Sequence, residues 1–481
     1  MAPGPAARRP SALRLAATLV AAVLCGLGLP CLNTAAGAAC WELEEPPAGT
    51  LYQGCFYGGR DQATEDVVLP QDVRRFEELV GARTCWVYFS NNWFRSRRFP
   101  LDTCRWIRAE GKVPFIRLML RSNDAEDEPD PAYAPERIAA GEFDGDLARW
   151  ADAARGFGTP VLVEWGTEFN GRWFPWNGSW HGGGATTLTG DPERPDGPAR
   201  FVGAFRHLVA LMRSRGARNL RWVWHLNASD DPEEDWNRFE RYYPGDDVVD
   251  WIGVSAYGLL TPLELEFQPL REQLDPVMER LDRLAPAKPV VLAEFGADER
   301  ALFTSAERWG REALTDVLSG RWGRVIGFCW WNEAWRSDEN SSHDTDMIVE
   351  DDPALTSAFR GLLRTHDALL QPAPVVRLMA PSPSTADLYP PPVPEGDGSL
   401  LLLAVLELRR AVLDQALTPR TEAAPSGPAA GADQGPGSNA VPPVSPPEPY
   451  TLEEVRLLLR QESTRRPLPY ALAGDTTSSG R

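Results

Sequence analysis

Two glutamates in matching surroundings, far apart in the chain, are the residues best placed for chemistry. Residues 159–176 read TPVLVEWGTEFNGRWFPW and residues 288–296 read KPVVLAEFG. In each stretch a short apolar run has the composition of a buried parallel strand. The run 161–165 is followed by a Gly and then Glu168, and the run 289–293 leads into Glu294. Two carboxyl groups facing one cleft can break a glycosidic bond. One protonates the leaving oxygen while the other attacks the anomeric carbon or activates water, and a separation of roughly 5–5.5 Å gives retention. A single Glu at a strand end reads as a salt-bridged surface group. Two, each flanked by Gly and aromatics, favour chemistry, and Glu rather than Asp supplies the reach.

Such a pair has to be carried by elements that bring distant strand ends together. Strands are expected at 51–57, 84–90, 113–120, 161–165, 220–226, 248–257, 289–293 and 325–331. Helical patterns fall at 73–79, 101–110, 144–155, 199–215, 270–284, 304–320 and 353–366. This alternation predicts an α/β protein of the (β/α)8 TIM-barrel class. An open doubly wound sheet would want a Gly-rich phosphate loop after an early strand, and Gly58-Gly59 does not make one. In a barrel, Glu168, Asn170, His225, Asn227, Tyr257, Glu294, Trp331 and Asn332 all end strands on one face. The loop 177–198 is long and rich in Gly, Thr and Pro, which points to a functional loop.

Composition narrows the partners. The chain of 481 residues has a formal net charge of −19, which argues against nucleic acid and anionic membranes and fits a neutral substrate. Its 18 Trp suggest that many face ligand. The five His are scattered and no Cys pair has zinc spacing, so no metal and no cofactor is expected. His343, Asp344 and Asp346 read as a solvated acidic loop. Residues 1–39 have the form of an export signal: Arg8, Arg9 and Arg14, an apolar stretch 15–29, and the small residues 36–38. The apolar stretch is short for a membrane span, so a secreted or periplasmic monomer is expected. Cys40 is a weak lipidation site. Cys85 with Cys104, or Cys40 with Cys55, could pair, while Cys329 reads as a buried thiol. Residues 40–371 form the expected barrel. Residues 372–481 are Pro-rich and expected to be largely disordered, with short helix candidates at 399–417 and 451–462.

Four motifs carry a family resemblance: EFNGRWFPW from Glu168 to Trp176, YYPGDDVVDWIG from Tyr242 to Gly253, AEFG at 293–296 and WWN at 330–332. Together, over roughly residues 50–371, they resemble the glycoside hydrolase family 26 β-mannanases, within the clan of retaining barrel glycosidases. The resemblance implies Glu168 as acid/base, Glu294 as nucleophile, and Tyr257 as a hydrogen-bond donor to that nucleophile. Asn170, Trp173, Trp176, His225, Tyr257 and Trp331 are then the candidate substrate-binding residues. Ionised Glu294 would raise Glu168, and the Tyr257 hydroxyl would hold Glu294 ionised. Two positions depart from the family pattern. Thr167 stands before the acid/base where relatives carry His and the wider clan Asn. Glu164 replaces a commonly basic residue, and it reads as a buried carboxylate paired with Arg117. The implied function is hydrolysis of a β-linked polysaccharide, with β-1,4-mannan leading. Glucan, xylan or an exopolysaccharide is the alternative within the enzyme class. A non-catalytic carbohydrate-binding barrel is the alternative outside it, and the intact Glu168 and Glu294 argue against that.

Overall fold

Eight parallel strands close on themselves in the computed structural model of this chain, which describes residues 41–59, 65–264, 267–302, 304–336, 340 and 342–379. They are β1 Tyr52–Gly59, β2 Trp86–Asn92, β3 Val113–Met119, β4 Val161–Glu164, β5 Leu220–Asn227, β6 Trp251–Tyr257, β7 Val290–Gly296 and β8 Val325–Trp335. Each pairs with the next in sequence, and β8 pairs with both β7 and β1, closing the barrel. The expected fold class and all eight strands are therefore present. Helices Pro70–Val80, Leu101–Ala109, Asp144–Phe157, Asp196–Ser214, Leu270–Leu284, Ala306–Leu318 and Pro353–Thr365 surround the strands. A further short helix, Pro135–Ala139, went unread in the sequence. The β5–β6 connection has two 3-10 turns, Asp235–Asn237 and Phe239–Tyr242, in place of a helix.

Period-two alternation divides the core into two layers. Trp86, Tyr88, Phe115, Leu162, Val223, Val291 and Trp331 point into the barrel, whereas Val87, Ile116, Val163, Trp222, Trp224, Leu292 and Trp330 pack under the helices. Each large apolar side chain buried this way contributes about 1.5–3 kcal/mol. Most of the 18 Trp serve this packing, Trp222 and Trp224 among them, which corrects the expectation that many face ligand. Trp86 fills the floor because Gly54 and Gly327 leave room: a Cβ on Gly54 would lie 1.9 Å from its indole.

The strand Trp41–Leu43 pairs antiparallel with Val376–Leu378, and Leu43 joins the inner cluster. Part of the stretch read as a tail thus forms a ribbon with the start of the described chain. The proposed export signal, Cys40 and both tail helix candidates lie outside the described residues. Cys55, Cys85, Cys104 and Cys329 are free, buried thiols. Cys85 faces the barrel interior and Cys104 the helix layer, so the pairing considered for them is not made.

Candidate active site

Glu168 reaches the cleft through a turn. β4 ends at Glu164, and the chain then bends with two residues in the left-handed region, Gly166 at φ 71° and Glu168 at φ 47°. A Cβ on Gly166 would lie 2.3 Å from the Phe201 ring, so that position requires glycine twice over. Left-handed geometry is costly for Glu and marks a position held by its surroundings. Trp173 Nε1 donates to Glu168 Oε2 at 2.7 Å, and Asn227 Nδ2 donates to Oε1 at 3.2 Å. Both donors sit on the loops and strand ends that rim the barrel mouth.

Glu294 reaches the same mouth through a β-bulge. Val254 pairs with Leu292 and Ser255 with Glu294, so Ala293 is skipped. Ala293 joins the inner cluster, and its neighbour Glu294 faces inward as well. In regular alternation Glu294 would point at the helices. The bulge re-aims it. Tyr257 donates to Glu294 Oε2 at 2.7 Å, as the resemblance implied, and the Tyr88 hydroxyl lies 3.1 Å from Oε1. Arg117 Nε is 3.8 Å from Oε1. Burial nevertheless dominates and pushes Glu294 up to about 7. Repulsion from Glu168 and Glu164 adds to this, and Arg117 and His225 only partly oppose it. The hydrogen bond expected from Tyr257 is present, and burial raises the carboxyl in spite of it.

Beneath the two glutamates lies a sealed polar layer. Glu164 is fully buried and accepts from Tyr88 at 2.6 Å, while His225 Nδ1 lies 2.9 Å from its other oxygen. Arg117, opposite Glu164 in the β3–β4 register, lies 3.8 Å from it and 3.2 Å from Glu65. The expected Glu164–Arg117 pairing is present, with His225 as the closer partner. Burial pushes Glu65 up, but Arg117 and Arg121 overcome it and hold the carboxyl at about 2. On the acidic loop after β3, burial pushes Glu126 up to about 8; Arg121 opposes this, and Glu65 and Glu168 add to it. At the end of β8, burial and then Glu65 hold Glu333 well above the usual carboxylate range, while Trp331 donates to it at 3.1 Å.

Not every sequence candidate faces the cleft. Trp331 lies flat on Phe56, ring centroids 3.5 Å apart, on the inner wall with Glu294. Trp173 and Tyr257 are partly exposed and touch the two glutamates. Asn170 is wholly buried: its amide donates to Asn227 O, Ser229 O and Asp230 Oδ1, and its Oδ1 accepts from Asn227 N. It pins the β5 loop to the β4 loop and has no atom left for a sugar. Trp176 is likewise core, donating to Thr167 O at 2.7 Å and stacking on Phe174. His225 belongs to the sealed layer, with Thr167 Oγ1 at 3.0 Å and Ser255 Oγ at 2.8 Å. In this structure these three are buried against protein partners. Tyr88, Glu65 and Glu333 were missed. Glu333 carried a signal, sharing strand parity with Trp331, whereas Tyr88 carried none.

Asp346, noted beside His343 and Asp344, lies with Glu299 and Asp351, one oxygen of each within 4.8 Å of the others. Burial, then repulsion from Asp346 and Asp351, pushes Glu299 up to about 7.

The model for "Glycosyl hydrolase family 26" matches residues 136–280, a span that includes Glu168, His225 and Tyr257. Endoglucanase H of Acetivibrio thermocellus is 25% identical over 293 residues, 60% of this chain and 28% of that protein. Beta-1,3-xylanase TXYA of a Vibrio species is 30% identical over 123 residues, 25% of this chain and 22% of that protein. The chain thus spans about a quarter of the length of these curated relatives. Among solved structures, the Bacillus subtilis mannanase BCman aligns with a TM-score of 0.45 at 18% identity, covering 68% of this chain and 87% of that one.

Proposed function

Since the barrel belongs to glycosyl hydrolase family 26, we propose that it hydrolyses a β-linked polysaccharide with retention of configuration and that β-1,4-mannan is its substrate. The observation that carries the reading is the pairing itself. Glu168 and Glu294 stand at the carboxyl ends of β4 and β7, each hydrogen-bonded on both oxygens, and close enough that Glu168 helps raise Glu294. Ionised Glu294 attacks the anomeric carbon while Glu168 protonates the departing oxygen. Ester formation removes the charge of Glu294, so Glu168 loses a repulsive neighbour and next takes the proton of the attacking water. Tyr257 steadies the nucleophile, and Trp331 presents an apolar wall to the sugar ring.

The first measurement is reducing-sugar release from mannan, glucomannan, mixed-linkage glucan and xylan, with Glu294→Ala as control. Release from mannan, lost in the variant and giving the β-anomer first by NMR, supports the assignment. An α-anomer formed first rejects retention. Thr167 supports a second reading with a different sugar. It is buried, and its hydroxyl lies against His225, so it offers the substrate nothing in the position where relatives carry a side chain for it. The relatives named for glucan and xylan fit that reading, and release from one of those glycans alone would select it. Glycan binding without release, unchanged in Glu168→Ala and Glu294→Ala, would select the binding barrel. We also propose export, from the basic start, apolar stretch and small residues of 1–39. Amino-terminal sequencing of protein from the culture medium tests it. Among the described residues no helix is long and apolar enough to cross a membrane.

A further inference from the structure

We propose that Glu164 and His225 are positioning residues that together hold one proton and, through the hydroxyl of Tyr88, govern the ionisation of Glu294. The inference rests on the reading of Glu294 as nucleophile. Neither residue is placed to touch a sugar, since Glu164 is 0% and His225 1% exposed. Their polar atoms are already engaged. His225 directs Nδ1 at Glu164 Oε2 (2.9 Å) and Nε2 at Ser255 Oγ (2.8 Å), an arrangement in which both ring nitrogens have an acceptor to donate to.

Tyr88 is the link. Its hydroxyl lies 2.6 Å from Glu164 Oε1 and 3.1 Å from Glu294 Oε1, and one proton can serve only one of them at a time. Arg117 is shared in the same way, with Nε 3.8 Å from each oxygen. One polar atom each of Glu164, His225 and Glu294 lies within 4.8 Å of the others. Two carboxylates that close do not both ionise without compensation. A proton on His225 makes the Glu164–His225 pair neutral, so that Arg117 is shared between Glu65, 3.2 Å away, and Glu294 alone. Burial opposes that proton, but Glu164, with Glu294 and Glu168 behind it, more than reverses the effect and raises the ring. The groups facing this centre are Glu65 before the second strand, Tyr88 on β2, Arg117 on β3, Glu168 after β4, Tyr257 on β6, and Cys329 and Glu333 on β8.

Charge counting gives the test its sign. Glu164→Gln leaves the pair neutral or positive and frees the Tyr88 proton for Glu294, so Glu294 ionises at lower pH. His225→Asn leaves the pair neutral or negative, so Glu294 ionises at higher pH. The double variant is neutral again. Infrared difference titration of the full chain, with the Glu294 carboxyl identified by subtracting Glu294→Gln, reads this without substrate. We expect midpoint shifts of about one pH unit, in opposite directions, from the two single variants, and the wild-type midpoint in the double variant. Shifts in the same direction, or none, overturn the proposal, because a purely structural role gives no opposed signs. His225→Gln replaces His225→Asn if that variant does not fold. If neither His variant folds, Glu164→Gln decides alone, a downward shift sustaining the proposal and any other result ending it. Failure to hydrolyse any glycan would reject the assigned function and leave this titration readable, whereas an unmoved titration in an active enzyme would reject only the pair.

Discussion

At the end of β4, Glu168 stands in a left-handed turn with its oxygens on an indole and an amide from the barrel rim. At β7, Glu294 stands within a strand, its oxygens on two phenols from the wall, with Arg117, His225 and Glu164 packed around it. The first glutamate stores its cost in the backbone. The second stores it in a buried charge. Both side chains are buried, and a group that gains and loses a proton each cycle is served by partners on the rim, here the partly exposed Trp173 and Asn227. A nucleophile that must meet one carbon is served by rigid strands and a fixed field.

The largest test of this difference removes each carboxylate in turn. Glu294→Ala should lower kcat/KM by about 10⁴-fold or more. Glu168→Ala should lower it by about 10²–10⁴-fold, and azide should restore turnover of an aryl glycoside bearing a good leaving group, with retained configuration in the glycosyl azide. Equal losses, with no rescue at Glu168, would show that the two glutamates do not divide the roles as proposed.

Next in size is the phenol that Glu294 shares with Glu164. Tyr88→Phe removes that shared hydroxyl, a charge-assisted hydrogen-bond donor of about 1.5–3 kcal/mol, so kcat/KM should fall by about 10- to 100-fold. The active form of Glu294 is the ionised one and its carboxyl sits at about 7. The acidic limb of wild-type kcat/KM should therefore rise as pH climbs through about 7, and Tyr88→Phe should move that limb upward. A variant with reduced kcat/KM and an unmoved limb would mean that Tyr88 only packs.

The contrast also explains what the sequence could disclose. Glu168 and Glu294 were legible because each lies in a local pattern, an apolar run ending in Gly and aromatics, that sets its own position. Strand order was legible because barrel strands pair with their sequence neighbours. The β7 bulge was not, since VVLAEFG is apolar on both sides of the strand and shows no alternation to interrupt. Tyr88 was not, because only closure of the barrel carries the middle of β2 across to β4 and β7. The partners of Asn170 were not legible for a related reason: its place near a strand end pointed to the cleft, and its amide in this structure bonds the β5 loop beyond the turn at Gly166 and Glu168.

Stability should reveal the stored charge. Folding raises Glu294 from 4.5 to about 7, so the folded chain keeps a proton that the unfolded chain releases in that window. The stability tied to that proton is complete below about pH 4 and falls away as pH rises toward 7. Glu294→Gln removes the charge and keeps the shape. It should be more stable than wild type by about 1–3 kcal/mol at pH 8, with the gap closing at pH 4, as read by denaturant unfolding. A gap of equal size at both pH values would place the cost in packing.

The smallest effect separates the two kinds of strain most directly. Ala and Gly both remove the carboxylate and differ in backbone freedom. At position 168, with φ 47°, Ala keeps the left-handed penalty that Gly escapes, so Glu168→Gly should be more stable than Glu168→Ala by about 1 kcal/mol. Position 294 lies inside a strand, where Gly only adds freedom to the unfolded chain, so Glu294→Gly should be less stable than Glu294→Ala by about 0.5–1 kcal/mol. The sign reversal, measured by denaturant midpoints at one pH, is the expected result. The same sign at both positions would mean that the turn at Glu168 relaxes once its side chain leaves Trp173 and Asn227. In that case the left-handed geometry would be imposed by those two hydrogen bonds, not by Gly166 and the packing beneath the turn.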